Sequence, residues 1–212
     1  MKDAIIIGNG TTSIVVINDD KTVTKKFKKQ KDYAKEKKIL NYINENNQNL
    51  YRTITMLNFD DSSKSIDFRF IPNNLEECIG KTNKKISNKV TNKIIIDTVL
   101  ILLKLHELKI THGDFKAKNI QLDEKFRPII IDYGLSNYYY TLSEECVKNM
   151  RDDVDKLWFL IIQLLLNIEY KKSYTKINTN INEIKKQHPR LIEIYNKSKY
   201  DMQLIIDYFI SL

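Results

Sequence analysis

His112-Gly113-Asp114-Phe115-Lys116-Ala117-Lys118-Asn119, followed a short distance on by Ile131-Asp132-Tyr133-Gly134, is the stretch on which the reading of this chain turns. It has the form HxDxKxxN and then DxG. Just before it, Asn92–Leu108 carries apolar residues on nearly every face, the mark of a buried helix. Between the two motifs, Ile120–Leu122 and Pro128–Ile131 are predicted to form a short hairpin around Asp123-Glu124-Lys125. Beyond them Arg151-Asp152-Asp153-Val154-Asp155-Lys156-Leu157 opens a second buried helix, Val154–Ile168. Either motif alone could be ordinary turn residues beside a core histidine. Coupled through a hairpin, and preceded by a buried helix, they form a much rarer combination.

The pair resembles the catalytic loop and the metal-binding loop of protein kinases. Phosphoryl transfer asks little covalent chemistry of a protein. It needs a nucleophile held in line, metal ions on the phosphates and positive charge near the developing anion. The resemblance implies that Asp114 accepts the proton of the attacking hydroxyl. Lys116 would lie near the γ-phosphate, Asn119 and Asp132 would offer oxygen ligands to Mg²⁺ (or Mn²⁺), and Gly134 would allow a sharp turn beneath the metal. An aspartate at the start of the second helix would hydrogen-bond the catalytic loop. Asp153 fits best and Asp155 is the alternative, although either could simply cap the helix.

The N-terminal part adds further likenesses. Ala4–Ile7, Ile14–Ile17 and Lys21–Phe27 read as three strands in consecutive hairpins, and Asp32–Asn44 as a helix. Two more strands are predicted around Ile54–Phe59 and Ile66–Ile71. Gly8-Asn9-Gly10-Thr11-Thr12-Ser13-Ile14-Val15 resembles the kinase glycine-rich loop, with Ser13 in place of the third glycine and Val15 following it. Such a loop lets backbone N–H groups approach phosphates. Val23-Thr24-Lys25-Lys26-Phe27 resembles the third-strand lysine motif. Lys25 is the first choice for the nucleotide lysine and Lys26 the alternative register, because a one-residue slip reverses the faces. Glu36 resembles its helix partner. Phe68-Arg69-Phe70-Ile71-Pro72 resembles the hinge, with adenine contacts expected from the backbone of Arg69, Phe70 and Ile71.

Together these imply an α+β, bilobal protein-kinase-like fold. Residues 1–71 would form a small β-rich N-lobe, and residues 72–212 a truncated, mainly helical C-lobe closed by helices at Leu191–Asn196 and Met202–Ile210. Three departures narrow the likeness. Gly113 replaces the arginine that docks a phosphorylated activation loop, so no such switch is expected. About twenty residues separate Asp132 from Asp153, and no APE motif appears, so the peptide platform is short. The late helices of the C-lobe have little room. HGD with a short loop also resembles aminoglycoside and choline phosphotransferases and small kinases associated with tRNA modification, but Lys116 matches the serine/threonine pattern. The expected activity is ATP- and Mg²⁺-dependent transfer to a protein serine or threonine. A small-molecule kinase, or a pseudokinase decoy that binds another kinase, is the alternative.

Composition agrees with a folded domain. The 212 residues are 42% hydrophobic, enough to bury a core. The net charge of +8 suits an anionic partner such as a nucleotide, but the lysines are dispersed and no aromatic RNA-binding signature accompanies them, so nucleic acid is not favoured. Cys78 and Cys146 lack metal or disulfide spacing. No apolar run is long enough for a signal peptide or a membrane span, so a soluble intracellular (cytoplasmic or nuclear) protein is expected. Its partners would be a protein substrate and an activating or scaffold protein, with no membrane.

Overall fold

The structure, a computed structural model, describes residues 5–46, 56–79, 86–168 and 177–212. The N-terminal part is a five-stranded antiparallel sheet. Its strands are β1 (Ile5–Asn9), β2 (Ser13–Ile17), β3 (Thr22–Phe27), β4 (Met56–Asp60) and β5 (Ser65–Arg69), in the order β1-β2-β3-β5-β4. The turns follow local chemistry. Lys21, after Asn18-Asp19-Asp20, takes a left-handed φ of 62°. The turn between β4 and β5 is drawn in by the Asp60 carboxylate, which accepts the backbone N–H of Ser62 at 2.8 Å and the Ser62 hydroxyl at 2.6 Å.

Helix α1 (Gln30–Glu45) crosses this sheet on a face made of Tyr33, Glu36, Ile39, Leu40 and Ile43. Their spacing of three and four residues is that of one helical stripe. Glu36 is the odd member, a carboxylate 1% exposed among apolar neighbours. Along β3 the two-residue alternation turns Lys25 and Phe27 inward and leaves Lys26 exposed.

After β5 the chain passes through Phe70, whose N–H donates to the Lys21 carbonyl at 3.1 Å. A three-stranded sheet follows, ordered β6-β8-β9, from β6 (Asn73–Asn74), β8 (Ile120–Leu122) and β9 (Pro128–Ile130). Asn74 fixes this crossing. Its side chain accepts Glu76 N–H at 3.0 Å, capping the short helix α2 (Leu75–Cys78), and donates to the Lys118 carbonyl at 2.8 Å.

The rest is mainly helical. Helix α3 (Asn88–Glu107) is capped by Ser87 and buries Ile94, Ile95, Val99, Ile101, Leu102 and Leu105. Helix α4 (Glu144–Leu166) is capped by Ser143 and ends at left-handed Asn167, φ 50°. Helices α5 (Ile177–Gln187), α6 (Pro189–Ser198) and α7 (Met202–Ile210) complete the described residues, with α7 packed along α3. Two short strands, β7 (Ile110–Thr111) and β10 (Asn137–Tyr138), pair antiparallel and bracket the loop between them. No helix among the described residues is long and apolar enough to cross a membrane.

One expectation is corrected. Arg151–Leu157 does not open the second buried helix, which starts ten residues before Val154, at Glu144. Its first turns set charged residues such as Glu144, Glu145 and Lys148 around the buried Cys146 and half-buried Val147 and Met150, so the apolar spacing is thinner there than beyond Val154. Asp153 therefore sits inside α4 and caps nothing. The predicted strand start at Ala4 lies outside the described residues.

Candidate active site

The buried Glu36 finds its counter-ion in β3. Lys25 Nζ donates to both Glu36 oxygens, at 2.8 and 2.7 Å, and to Asp132 Oδ1 at 2.7 Å. Burial alone would drive the Lys25 proton off, but the two carboxylates outweigh it and hold its pKa above the usual lysine value. Burial likewise opposes the charge on Asp132, yet Lys25 keeps that carboxyl below the usual range. Of the two lysine registers, only Lys25 faces this cluster. The Asp132 side chain remains 47% exposed, and Lys25 bonds only its Oδ1.

Gly134 stands where backbone must pass close to these groups. A Cβ there would meet Glu36 Oε2 at 3.2 Å and Asp132 Oδ1 at 3.4 Å. Asp132 itself is left-handed, φ 65°. Between them the Tyr133 ring is fully buried, and its hydroxyl has no hydrogen-bond partner among the described residues.

The HxDxKxxN stretch folds around Asp114. Lys116 Nζ lies 2.7 Å from one Asp114 oxygen and 2.9 Å from the other. Asn119 Nδ2 donates to the Asp114 carboxylate at 2.9 Å and to its backbone carbonyl at 2.8 Å. That use of the amide nitrogen leaves the Asn119 amide oxygen as its donor atom for a hard cation. His112 joins the two motifs. Its Nδ1 accepts Asp114 N–H at 3.3 Å and its Nε2 donates to the Ile131 carbonyl at 3.1 Å, one residue before Asp132. This pattern fixes the neutral tautomer, in keeping with burial, which lowers the pKa of His112.

Asp153 anchors the loop from α4. One oxygen accepts His112 N–H at 2.7 Å and the other Gly113 N–H at 2.9 Å, while Asp155 pairs with Lys199 on the surface. Gly113 has φ +81°, and a Cβ there would lie 2.5 Å from the Leu135 carbonyl oxygen. Glycine is required at this position by backbone geometry and by the close approach of residue 135. Ser136 then closes the contact, its hydroxyl donating to the His112 carbonyl at 3.0 Å.

The glycine-rich stretch forms the β1–β2 hairpin. Gly8 lies opposite Val15, Gly10 N–H donates to the Ser13 carbonyl at 2.9 Å, and Ser13 is buried. Neither glycine is demanded by the chain itself. Cβ atoms at Gly8 and Gly10 would have 3.4 and 3.6 Å to their nearest neighbours. Lys28, which sequence patterns do not single out, donates to the Gly10 carbonyl at 2.7 Å and pins the tip. At the crossing, Arg69 is exposed and Phe70 and Ile71 are half-buried.

Three residues of the site carry no motif signal, namely Ser136, Lys156 and Lys28. Lys156 donates to the Gly113 carbonyl. Its only sequence clue is its place one helical turn beyond Asp153.

The family model described as protein kinase domain matches residues 4–171. The chain is 30% identical over 172 residues to an LRR receptor-like serine/threonine-protein kinase of Arabidopsis thaliana, an alignment covering 68% of this chain and 15% of that one. It is 27% identical over 147 residues to a probable receptor-like protein kinase of the same plant, covering 62% and 30%. A probable serine/threonine-protein kinase of fowlpox virus is 33% identical over 66 residues, covering 31% and 22%. The chain thus spans at most 30% of the length of these relatives.

Proposed function

The chain belongs to the protein kinase family, and from that premise we propose that it transfers the γ-phosphate of ATP to serine or threonine hydroxyls of a protein substrate. The observation that carries this reading is the tie between two carboxylates. The His112 ring joins the backbone N–H of Asp114 to the carbonyl of Ile131, the residue before Asp132, and Lys25 sits on the Asp132 carboxylate while Lys116 sits on that of Asp114.

In this reading Asp114 accepts the proton of the substrate hydroxyl as its oxygen bonds to the γ-phosphorus and the bond to the ADP oxygen breaks. Lys116, already beside Asp114, offsets negative charge on the γ-phosphoryl group in transfer. Lys25, steadied by Glu36, presents its ammonium to the α- and β-phosphates. Backbone N–H groups of the Gly8–Ser13 hairpin, with Val15 behind it, cover the phosphates and base. Asp132 and Asn119 would hold Mg²⁺. The fit rests on the half-exposed Asp132 carboxylate and on the Asn119 amide oxygen, both hard donors. When bound, the ion neutralises phosphate charge. Phe70 spends its N–H on Lys21, so it offers adenine its carbonyl, beside the backbone groups of Arg69 and Ile71. We place the lobe boundary at residues 71 and 72. The activity implies an intracellular setting, where ATP is available.

Serine/threonine specificity is supported by Lys116 and by the names of two relatives, both serine/threonine-protein kinases. It is tested with γ-labelled ATP, Mg²⁺ and generic acceptor proteins, followed by acid hydrolysis. Label in phosphoserine and phosphothreonine is expected. Label only in phosphotyrosine, or only in a small-molecule acceptor, would overturn it.

A further inference from the structure

Gly113 immediately precedes the proposed catalytic carboxylate and has no side chain of its own to limit its backbone. A glycine is the residue least able to hold a fixed φ and ψ by itself. Something else must hold it, and the hydrogen bonds around residues 112–114 identify what. His112 N–H goes to Asp153 and its carbonyl accepts from Ser136. Gly113 N–H goes to the other Asp153 oxygen and its carbonyl accepts from Lys156. Asp114 N–H goes to His112 Nδ1 and its carbonyl accepts from Asn119. All six backbone polar groups are met by side chains.

We propose that Lys156 is a positioning residue for Asp114, gripping the Gly113 carbonyl while Asp153 grips the Gly113 N–H. The two groups stand three residues apart on α4 and so share a face. Together they fix the peptide units on either side of the Gly113 Cα, and therefore both of its torsions. A carboxylate takes the N–H and an ammonium meets the C=O, so both contacts are charge-assisted. The neighbouring Asp155 does not share this task, being paired with Lys199 at 3.0 Å. Lys156 acts on the reaction only through the aim of Asp114, a role that rests on the phosphotransferase reading above.

The test compares wild type with Lys156→Met, which keeps the stem and loses the ammonium, and with Lys156→Arg, which restores a donor. Two readouts are taken, steady-state kinetics and amide hydrogen exchange. In Lys156→Met the amides of residues 112–114 exchange faster while those of Leu157–Leu164 in α4 do not, kcat falls about tenfold or more, and KM for ATP stays within about twofold. Lys156→Arg recovers most of both. A Lys156→Met protein with unchanged loop exchange and wild-type kcat would overturn the proposal. So would a Lys156→Arg protein as impaired as Lys156→Met. A wild type that transfers no phosphate would instead overturn the kinase reading, and the exchange comparison would still decide whether Lys156 holds the loop.

Discussion

Glu36 presents both carboxylate oxygens to Lys25, at 2.8 and 2.7 Å, from a position 1% exposed on the apolar face of α1. A buried pair of this kind is weak evidence for stability by itself, but losing one partner strands the other charge. Lys25→Met alone, which strands Glu36, should therefore cost about 3–5 kcal/mol in urea denaturation, and Glu36→Gln less, because Lys25 keeps Asp132. The Lys25→Met/Glu36→Met double variant should recover much of that. It should still lose phosphoryl transfer, which separates the pair's structural cost from its use.

Gly113→Ala forces a Cβ to 2.5 Å from the Leu135 carbonyl oxygen at φ +81°. A loss of more than about 1 kcal/mol is expected, together with faster amide exchange across Ser136–Tyr138 as the β7–β10 pairing loosens. Gly10→Ala has 3.6 Å of room and should leave the melting temperature nearly unchanged. Any fall in its ATP affinity would then report how closely phosphate approaches that backbone.

Tyr133 buries a hydroxyl that has no partner among the described residues. Stranding such a group costs about 1–3 kcal/mol, so Tyr133→Phe should be neutral or stabilising in thermal denaturation and should keep transfer activity. A clear loss of stability would mean that the hydroxyl has a structural partner.

Acid should weaken the fold in two stages. Burial holds the His112 pKa below its usual 6.5 and keeps the ring neutral, against the pull of Asp153, Asp132 and Asp114. The unfolded chain therefore binds more protons than the native one below that value, and stability present above it is lost as pH falls. Burial works against the Asp153 charge, but His106, whose Nε2 lies 3.3 Å from Asp153 Oδ2, and the His112 N–H hold its pKa below the usual 3.8. Its contribution persists below pH 6 and goes only under strongly acid conditions. Urea midpoints from pH 8 to pH 3 should be flat at first, then decline below about 6.5 and steepen below about 4.

The sequence carried the order of strands and helices well, because apolar spacing and turn residues are local signals. Lys25, Glu36, Asp114, Asn119 and Asp132 were legible as motifs, and the structure adds their mutual contacts. What stayed hidden has physical causes. The start of α4 mixes charged residues with a thin stripe of Cys146, Val147 and Met150, a weaker signal than the apolar run after Val154. Helix α5 is rich in Asn, Lys and Ile, with few strong helix formers. Lys28, Ser136 and Lys156 act on backbone carbonyls, which leave no trace in residue identity, and in a lysine-rich chain one useful lysine looks like the rest. The choice between Asp153 and Asp155 also needed three dimensions, since both are helical and only one faces the loop.

The most direct test of the central claim is label transfer from γ-labelled ATP in Mg²⁺, wild type beside Asp132→Asn, with the ATP–Mg²⁺ shift in melting temperature read on the same samples. The account predicts transfer by the wild type, a drop to background in Asp132→Asn, and a larger thermal shift for the wild type. Equal transfer by both proteins, or no transfer and no thermal shift in the wild type, would contradict it.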